Sequence, residues 1–150
     1  MRLMGEGRFL TGAHFHDGRY LPKTWGTEGE TPVLADARRW LDCYFAGEPL
    51  PVLPPLAPAG TAFQQAVWEI LRAIPYGETM SYGLVAKLLA AARGRQVAAQ
   101  AVGQAVGRNP ISILIPCHRV LGGDNTLTGY GSGLWRKEYL LQLENISYNK

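Results

Sequence analysis

Apolar residues return at helical spacing in five stretches of this chain, and the breaks between them carry the residues that end helices. Val33, Ala37, Trp40, Leu41, Tyr44 and Phe45 recur at intervals of three and four, the spacing of one helix face. Thr31-Pro32 supplies an N-cap followed by proline at the first helical position, and Gly47 closes the helix. Before it, Phe9 to Phe15 mixes apolar and small residues. With the turn signal Asp17-Gly18 it predicts a hairpin. Glu48 to Gly60 carries Pro49, Pro51, Pro54, Pro55 and Pro58, a composition that blocks helix and predicts a stiff extended linker. A domain boundary placed inside it divides the chain into regions 1–57 and 58–150.

The second region reads as mainly helical. Thr61 and Gln64 form a capping box for a helix to Ile74, with Phe63, Val67, Ile70, Leu71 and Ile74 on one stripe. A second helix is predicted from Ser81 to about Ala92, with Leu84, Val85, Leu88 and Leu89 facing inward. After the turn Arg93-Gly94-Arg95, a third is predicted from Gln96 to Gly107. Helix, short turn, helix is the layout of a helix-turn-helix unit. Ile111 to Ile115 reads as a short strand. Leu121 to Gly133, with five glycines and Asp124-Asn125, reads as a hairpin-like loop, the wing of such a unit. A helix from Leu134 to Glu144 closes the core through Leu134, Leu140, Leu141 and Leu143. The fold class expected is α+β: a small, incomplete α/β amino-terminal region followed by a helical, winged helix-turn-helix-like catalytic domain.

Composition narrows the function classes. An apolar fraction of 47% is that of a globular chain, and a net charge of +3 tolerates a nucleic-acid partner without requiring one. No run of 18 apolar residues is present, so no membrane association is expected, and the start lacks a secretory core. Both point to a cytoplasmic protein. Cys43 and Cys117 lie far apart with no CxxC or Cys/His cluster, so neither a disulfide nor a metal site is expected.

Two features carry candidate chemistry. In the third helix of the second region, Ala98, Ala101, Val102 and Ala105 can pack. Gln96, Ala99, Gln100, Gly103, Gln104 and Gly107 form an opposite face that is small and uncharged. Such a face allows close approach to another backbone, and glutamine can bond to base edges or phosphates. The bland alternative is a helix merely short of charge. The other feature is Pro116-Cys117-His118-Arg119, the densest cluster of reactive side chains. A cysteine becomes nucleophilic beside a cation, a histidine or a helix N-terminus. Neighbouring side chains rarely point at each other, so a water would have to relay the proton to His118 and some carboxylate would orient the imidazole. The tetrapeptide alone fits an inert buried cysteine equally well. Tyr82 and Tyr130 are each either core aromatics or proton donors. Arg93, Arg95, Arg108, Arg119, Arg136 and Lys137 read singly as surface charges.

Asn109-Pro110 and then Ile113-Leu114-Ile115-Pro116-Cys117-His118-Arg119-Val120 resemble the active-site signature of the O6-alkylguanine-DNA alkyltransferases, also called the methylated-DNA–protein-cysteine methyltransferase family. The resemblance runs from Thr61 to Glu144. It includes Tyr76-Gly77-Glu78, Ser81-Tyr82, Ala101-Val102-Gly103, Gly129-Tyr130, Lys137-Glu138 and Leu140-Leu141. It implies irreversible, single-use transfer of a methyl or small alkyl group from O6-alkylguanine in double-stranded DNA to Cys117, by a monomer that uses no metal or organic cofactor. The amino-terminal region would be ribonuclease-H-like.

The same resemblance implies the site. His118 would reach Cys117 through water and Glu144 would orient His118. Asn109 would be a hinge between recognition helix and active-site loop, and Tyr82 would donate a proton to the departing guanine. The carbonyls of Cys117 and Val120, with Pro116, Tyr130 and Gly131, would form the base pocket. Ser81, Gln96, Ala99, Gln100, Gly103, Gln104 and Arg119 would meet DNA, through the minor groove. Two departures stand out. Gln100 occupies the register where the family often has an arginine that fills the gap of the flipped base. Met1 also falls partway into the family's amino-terminal domain, so that region is expected to be shortened.

Overall fold

A computed structural model describes residues 1–150. In chain order it contains β1 (Arg2–Glu6), β2 (Phe9–His14), α1 (Pro32–Ala46), α2 (Ala62–Arg72), β3 (Met80–Ser81), α3 (Tyr82–Arg93), α4 (Ala99–Gly107), β4 (Val120–Leu121) and α5 (Leu134–Leu143). β1 and β2 form an antiparallel hairpin, and β3 pairs with β4 in parallel. The protein is a mixed fold of five helices and short strands.

Local chemistry sets the helix ends. The Thr31 hydroxyl accepts from Leu34 N–H, and Gly47 adopts the left-handed conformation that closes α1. Thr61 and Gln64 satisfy each other's backbone donors as a capping box on α2. Ser81 caps α3, whose far end turns at Gly94 with φ 68°. Trp68 of α2 is buried, and its indole N–H donates to the Ala105 carbonyl at 2.8 Å. That bond fixes α4 against α2.

β2 joins the two halves of the chain. Beyond its pairing with β1, Leu10 exchanges backbone hydrogen bonds with Pro55 and Ala57, and Ala13 with Pro110 and Ser112. The proline-rich segment is extended, as its composition predicts, yet it is docked along β2 rather than free, with Pro54 buried. One hydrophobic core runs from Leu10 and Trp40 through Trp68 and Val85 to Leu140.

Several local expectations change. The hairpin turns at Gly7-Arg8, because Arg2–Glu6 provides β2 with a partner upstream. Asp17-Gly18 makes a separate turn in which Gly18 N–H meets the Phe15 carbonyl. α4 starts at Ala99, so Gln96 lies outside it. Ile111–Ile115 is a tight turn rather than a strand: Ile113 has φ 72° and Ile115 N–H returns to the Ile111 carbonyl. Residues 121–133 contain no hairpin, because β4 pairs with β3 instead. Leu84, Leu88 and Leu134, expected in the core, are exposed, as is Phe45. Trp68 and Ala86 are buried and take up core positions that the stripe reading did not assign.

Candidate active site

Cys117 follows the tight turn at 111–115 directly, and Asn109 holds that turn shut. The Asn109 side-chain amide donates to the Ile115 carbonyl and its oxygen accepts from Ile111 N–H, each at 2.9 Å. Cys117 N–H donates back to Ile115 at 2.8 Å, and Cys117–Arg119 forms a single 3₁₀ turn. This turn sends adjacent side chains apart. Cys117 faces a cleft of about 530 Å³, while His118 and Arg119 point into the protein.

There they meet Glu144, at the end of α5. His118 Nε2 lies 2.6 Å from Glu144 Oε2, and Arg119 donates to both carboxylate oxygens, at 2.8 and 3.1 Å. Gly77 N–H donates to Oε1 at 3.0 Å. The Tyr44 hydroxyl, from α1, donates to Oε2 at 2.6 Å. An ionised carboxylate only accepts, so His118 carries its hydrogen on Nε2. The lone pair is then on Nδ1, which is buried and meets no protein donor.

The electrostatics suit this arrangement. Burial pushes the Glu144 carboxyl up. Hydrogen bonds from His118, Arg119 and the Tyr44 hydroxyl outweigh it and hold the group at about 2. His118 is shifted the opposite way from an ordinary ion-paired histidine. Its complete burial, helped by the nearby Arg119 and Lys137 charges, overrides the pull of Glu144 and keeps the imidazole neutral. Burial also raises the Cys117 thiol, which Asn109, Tyr130 and the Lys137 charge offset only in part. Cys117 is therefore a thiol at rest and needs a base to become a nucleophile.

The cleft above the thiol is walled by Tyr82 and Gly103 on one side and by Tyr130 and Gly131 on another, with Asn109 beside Cys117. Tyr82 stands at the start of α3, and its hydroxyl accepts from Thr128 at 3.1 Å. Burial raises its pKa, so it remains a proton donor. The Tyr130 hydroxyl is buried without a completed hydrogen bond. At Gly131 a Cβ would come 3.1 Å from the Gly107 carbonyl, so the loop approaches α4 closely there. Along α4, Ala99, Gln100 and Gln104 are exposed and Gly103 and Gly107 partly so, forming the uncharged face expected of this helix, and all but Ala99 also border the cleft. Gln96 is exposed ahead of the helix, and Ser81 spends its side-chain oxygen as the cap of α3.

Three expected site residues lie elsewhere. Arg119 is buried and bound to Glu144 and to the Ile74 carbonyl, so it is no DNA contact. Val120 and Pro116 are buried and do not line the cleft. Val120 is locked in the β3–β4 pairing, with its carbonyl accepting from Lys137 Nζ at 2.7 Å. Lys137 is not the surface charge that its sequence context suggests. It is fully buried, and burial lowers its pKa to about 8. Sequence reasoning also missed Tyr44 and the segment Phe15–Leu21, which lines the cleft mouth. That segment is tied down by Arg108 stacked 4.0 Å over Tyr20 and by the Arg136–Asp17 ion pair. The signal for Tyr44 was its place on the apolar stripe of α1, since a buried tyrosine hydroxyl needs a partner. No cluster of three or more His, Cys, Asp or Glu side chains is gathered anywhere, and no helix is long and apolar enough to cross a membrane.

A thiol at the floor of a cleft, backed by a histidine–carboxylate pair and flanked by a small-faced helix, defines a thiol-dependent group acceptor. Residues 62–146 match the family model described as 6-O-methylguanine DNA methyltransferase, DNA binding domain. The chain is 47% identical to a methylated-DNA–protein-cysteine methyltransferase of Haemophilus influenzae, over 97% of this chain and 80% of that one. It is 48% identical to one of Mycobacterium leprae, over 95% and 84%. A crystal structure of Mycobacterium tuberculosis OGT in complex with DNA superposes with a TM-score of 0.83 at 44% identity, covering 95% of this chain and 85% of that one. The chain belongs to the methylated-DNA–protein-cysteine methyltransferase family.

Proposed function

We propose that the protein repairs double-stranded DNA by moving a methyl or small alkyl group from the O6 of guanine to the Sγ of Cys117. The observation that carries this reading is the buried His118, next in sequence to the cleft thiol of Cys117, whose Nδ1 is left without a protein partner while Glu144 holds Nε2.

A water takes the Cys117 proton and passes one to His118 Nδ1, giving a thiolate and an imidazolium stabilised by Glu144. The thiolate attacks the alkyl carbon in line, forming an S–C bond as the C–O6 bond breaks. The electron pair of that bond goes to the guanine oxygen. Tyr82 donates a proton to the departing base and recovers one from the imidazolium through solvent. The product thioether has no group beside it able to cleave it, so each molecule acts once.

Base flipping is required, because a guanine O6 in a duplex cannot reach the floor of a cleft. α3 and α4 act as the helix-turn-helix unit. The face of Ala99, Gln100, Gly103 and Gln104 enters the minor groove, with Ser81 and Gln96 at its margin. Gln100 fills the gap left by the flipped base. Tyr130 and Gly131 line the base pocket, and Asn109 is the hinge between α4 and the Cys117 turn. Residues 1–57, with the β1–β2 hairpin and α1, correspond to the family's ribonuclease-H-like region, and 58–150 to the acceptor domain. The protein acts as a monomer. A reducing, cytoplasmic setting suits an acceptor that must stay a thiol, and no cofactor enters the step. A single-turnover assay with a methylated duplex tests the reading. It predicts product equal to protein and no second turnover; repeated turnover would contradict it.

A further inference from the structure

We infer that Tyr44, on the amino-terminal helix α1, is a positioning residue of the proton relay: its hydroxyl holds the Glu144 oxygen that also holds His118, and so sets how strongly the carboxylate backs the imidazole. The inference rests on the relay proposed above.

The geometry is specific. The Tyr44 hydroxyl and His118 Nε2 both lie 2.6 Å from the same oxygen, Glu144 Oε2, and 3.4 Å from each other. With Arg119 Nη2 at 3.1 Å, three donors share this one acceptor atom, and Tyr44 and His118 are the two closest. The Tyr44 ring is held from several sides. It stacks on Trp40 at 5.5 Å and 11°, and stands edge-on to Tyr76 at 6.1 Å and 75°. Its hydroxyl cannot swing to another partner without losing this packing. The ring alone would fill the core, so packing does not account for the hydroxyl.

The neighbouring groups do not duplicate its task. Arg119 grips both carboxylate oxygens and neutralises the buried charge, and Gly77 N–H occupies Oε1. Tyr76 aims its hydroxyl at the Leu143 carbonyl instead. Lys137, Cys117 and Tyr130 lie on the cleft side, where Lys137 is committed to the Val120 and Gly129 carbonyls. Arg119 Nη2 reaches Oε2 at 3.1 Å, but Tyr44, at 2.6 Å, is the neutral donor that shares this oxygen with His118. Each donor draws charge from the oxygen it binds, so a carboxylate bonded to Tyr44 stabilises an imidazolium less than one without it. Tyr44 keeps His118 weak enough as a base to release its proton, and neutral enough at rest to accept one. The amino-terminal region thereby contributes a side chain to chemistry that otherwise belongs wholly to residues beyond 76.

The test is the pH profile of single-turnover transfer from a methylated duplex, measured for the full chain, Tyr44→Phe and Tyr44→trifluorotyrosine. Loss of the hydroxyl strengthens Glu144 as the partner of His118 and raises the proton affinity of the imidazole. The acid limb of Tyr44→Phe should move up by about one pH unit, slowing transfer about tenfold on that limb while duplex affinity is unchanged. The fluorinated phenol is a stronger donor and keeps the ring in place, so its acid limb should move down. A role in packing alone would move neither limb. Limbs that stay where the parent has them in both variants overturn the inference. The variant His118→Asn separates this from the relay itself: an acid limb that survives that change overturns the relay, and Tyr44's place with it.

Discussion

The floor of the cleft and the outer face of α4 adjoin one another across Tyr82, which lines the first and packs beside Gly103 of the second. At the floor, Glu144 takes hydrogen bonds from Tyr44, Gly77, His118 and Arg119, and three of these side chains are buried with it. On α4, Ala99, Gln100 and Gln104 stand in solvent, and none of them makes a side-chain hydrogen bond within the protein. The first region spends its polar groups on each other, which fixes atoms in place before any ligand arrives. The second keeps its polar groups free and its profile small, which is what contact with a long, repetitive partner asks for. Substitutions should accordingly be costly in one region and mild in the other.

Glu144→Ala should have the largest effect. It leaves Arg119 buried without its counter-charge, a loss of about 3–5 kcal/mol. In a chain of this size that lowers the midpoint of thermal unfolding by roughly 6–20 °C. Gln104→Ala, on the other surface, should leave the midpoint where it is. Calorimetry on the two variants checks the contrast, and equal losses would erase it.

His118→Asn should come next. Removal of a general base slows transfer by about 10²–10⁴-fold. Duplex affinity should hold, because His118 is fully buried beneath the cleft floor. Rapid-quench assays and a binding titration separate the two readouts.

Acid should reveal the same cluster. The Glu144 carboxyl sits at about 2 in the folded protein against 4.5 ordinarily, a depressed value. Its contribution to stability is therefore complete above pH 4.5 and lost as the pH falls toward 2. Melts of the parent over that window should fall more steeply than those of Glu144→Gln, which cannot titrate. Parallel slopes would mean that Glu144 is not held as the geometry requires.

The smallest effects belong to α4. Gln100→Arg puts a cation at the position proposed to fill the gap of the flipped base and should raise the repair rate on duplex DNA by less than about tenfold, in line with one added hydrogen bond of about 0.5–1.5 kcal/mol. The salt dependence of binding should be shallow, because the face of α4 brings no cation of its own. A steep slope would place the phosphate contacts elsewhere.

The sequence carried these two regions unequally. Composition alone showed the α4 face, since alanine, glycine and glutamine at helical spacing leave little else to infer. The stripe of α1, the capping box of α2 and the cap of α3 were equally local and equally legible. Motif resemblance pointed to Cys117, His118, Glu144, Tyr82 and Asn109. What lay outside local pattern was long-range pairing. Arg119 and Lys137 look like surface charges until Glu144 and the Val120 carbonyl are brought to them by the fold. Tyr44 meets a partner one hundred residues away. Ile111–Ile115 has the composition of a strand, but Asn109 bonds to both of its ends and bends it. The wing expected at 121–133 failed because Val120–Leu121 found its partner in Met80–Ser81.

The most direct measurement is the intact mass of the protein after incubation with a duplex carrying O6-methylguanine, followed by peptide mapping. One methyl-for-hydrogen increment per chain, confined to Cys117 and absent from Cys117→Ala, is the predicted result. An unchanged mass while the DNA is repaired, or a methyl group found on Cys43, would contradict it.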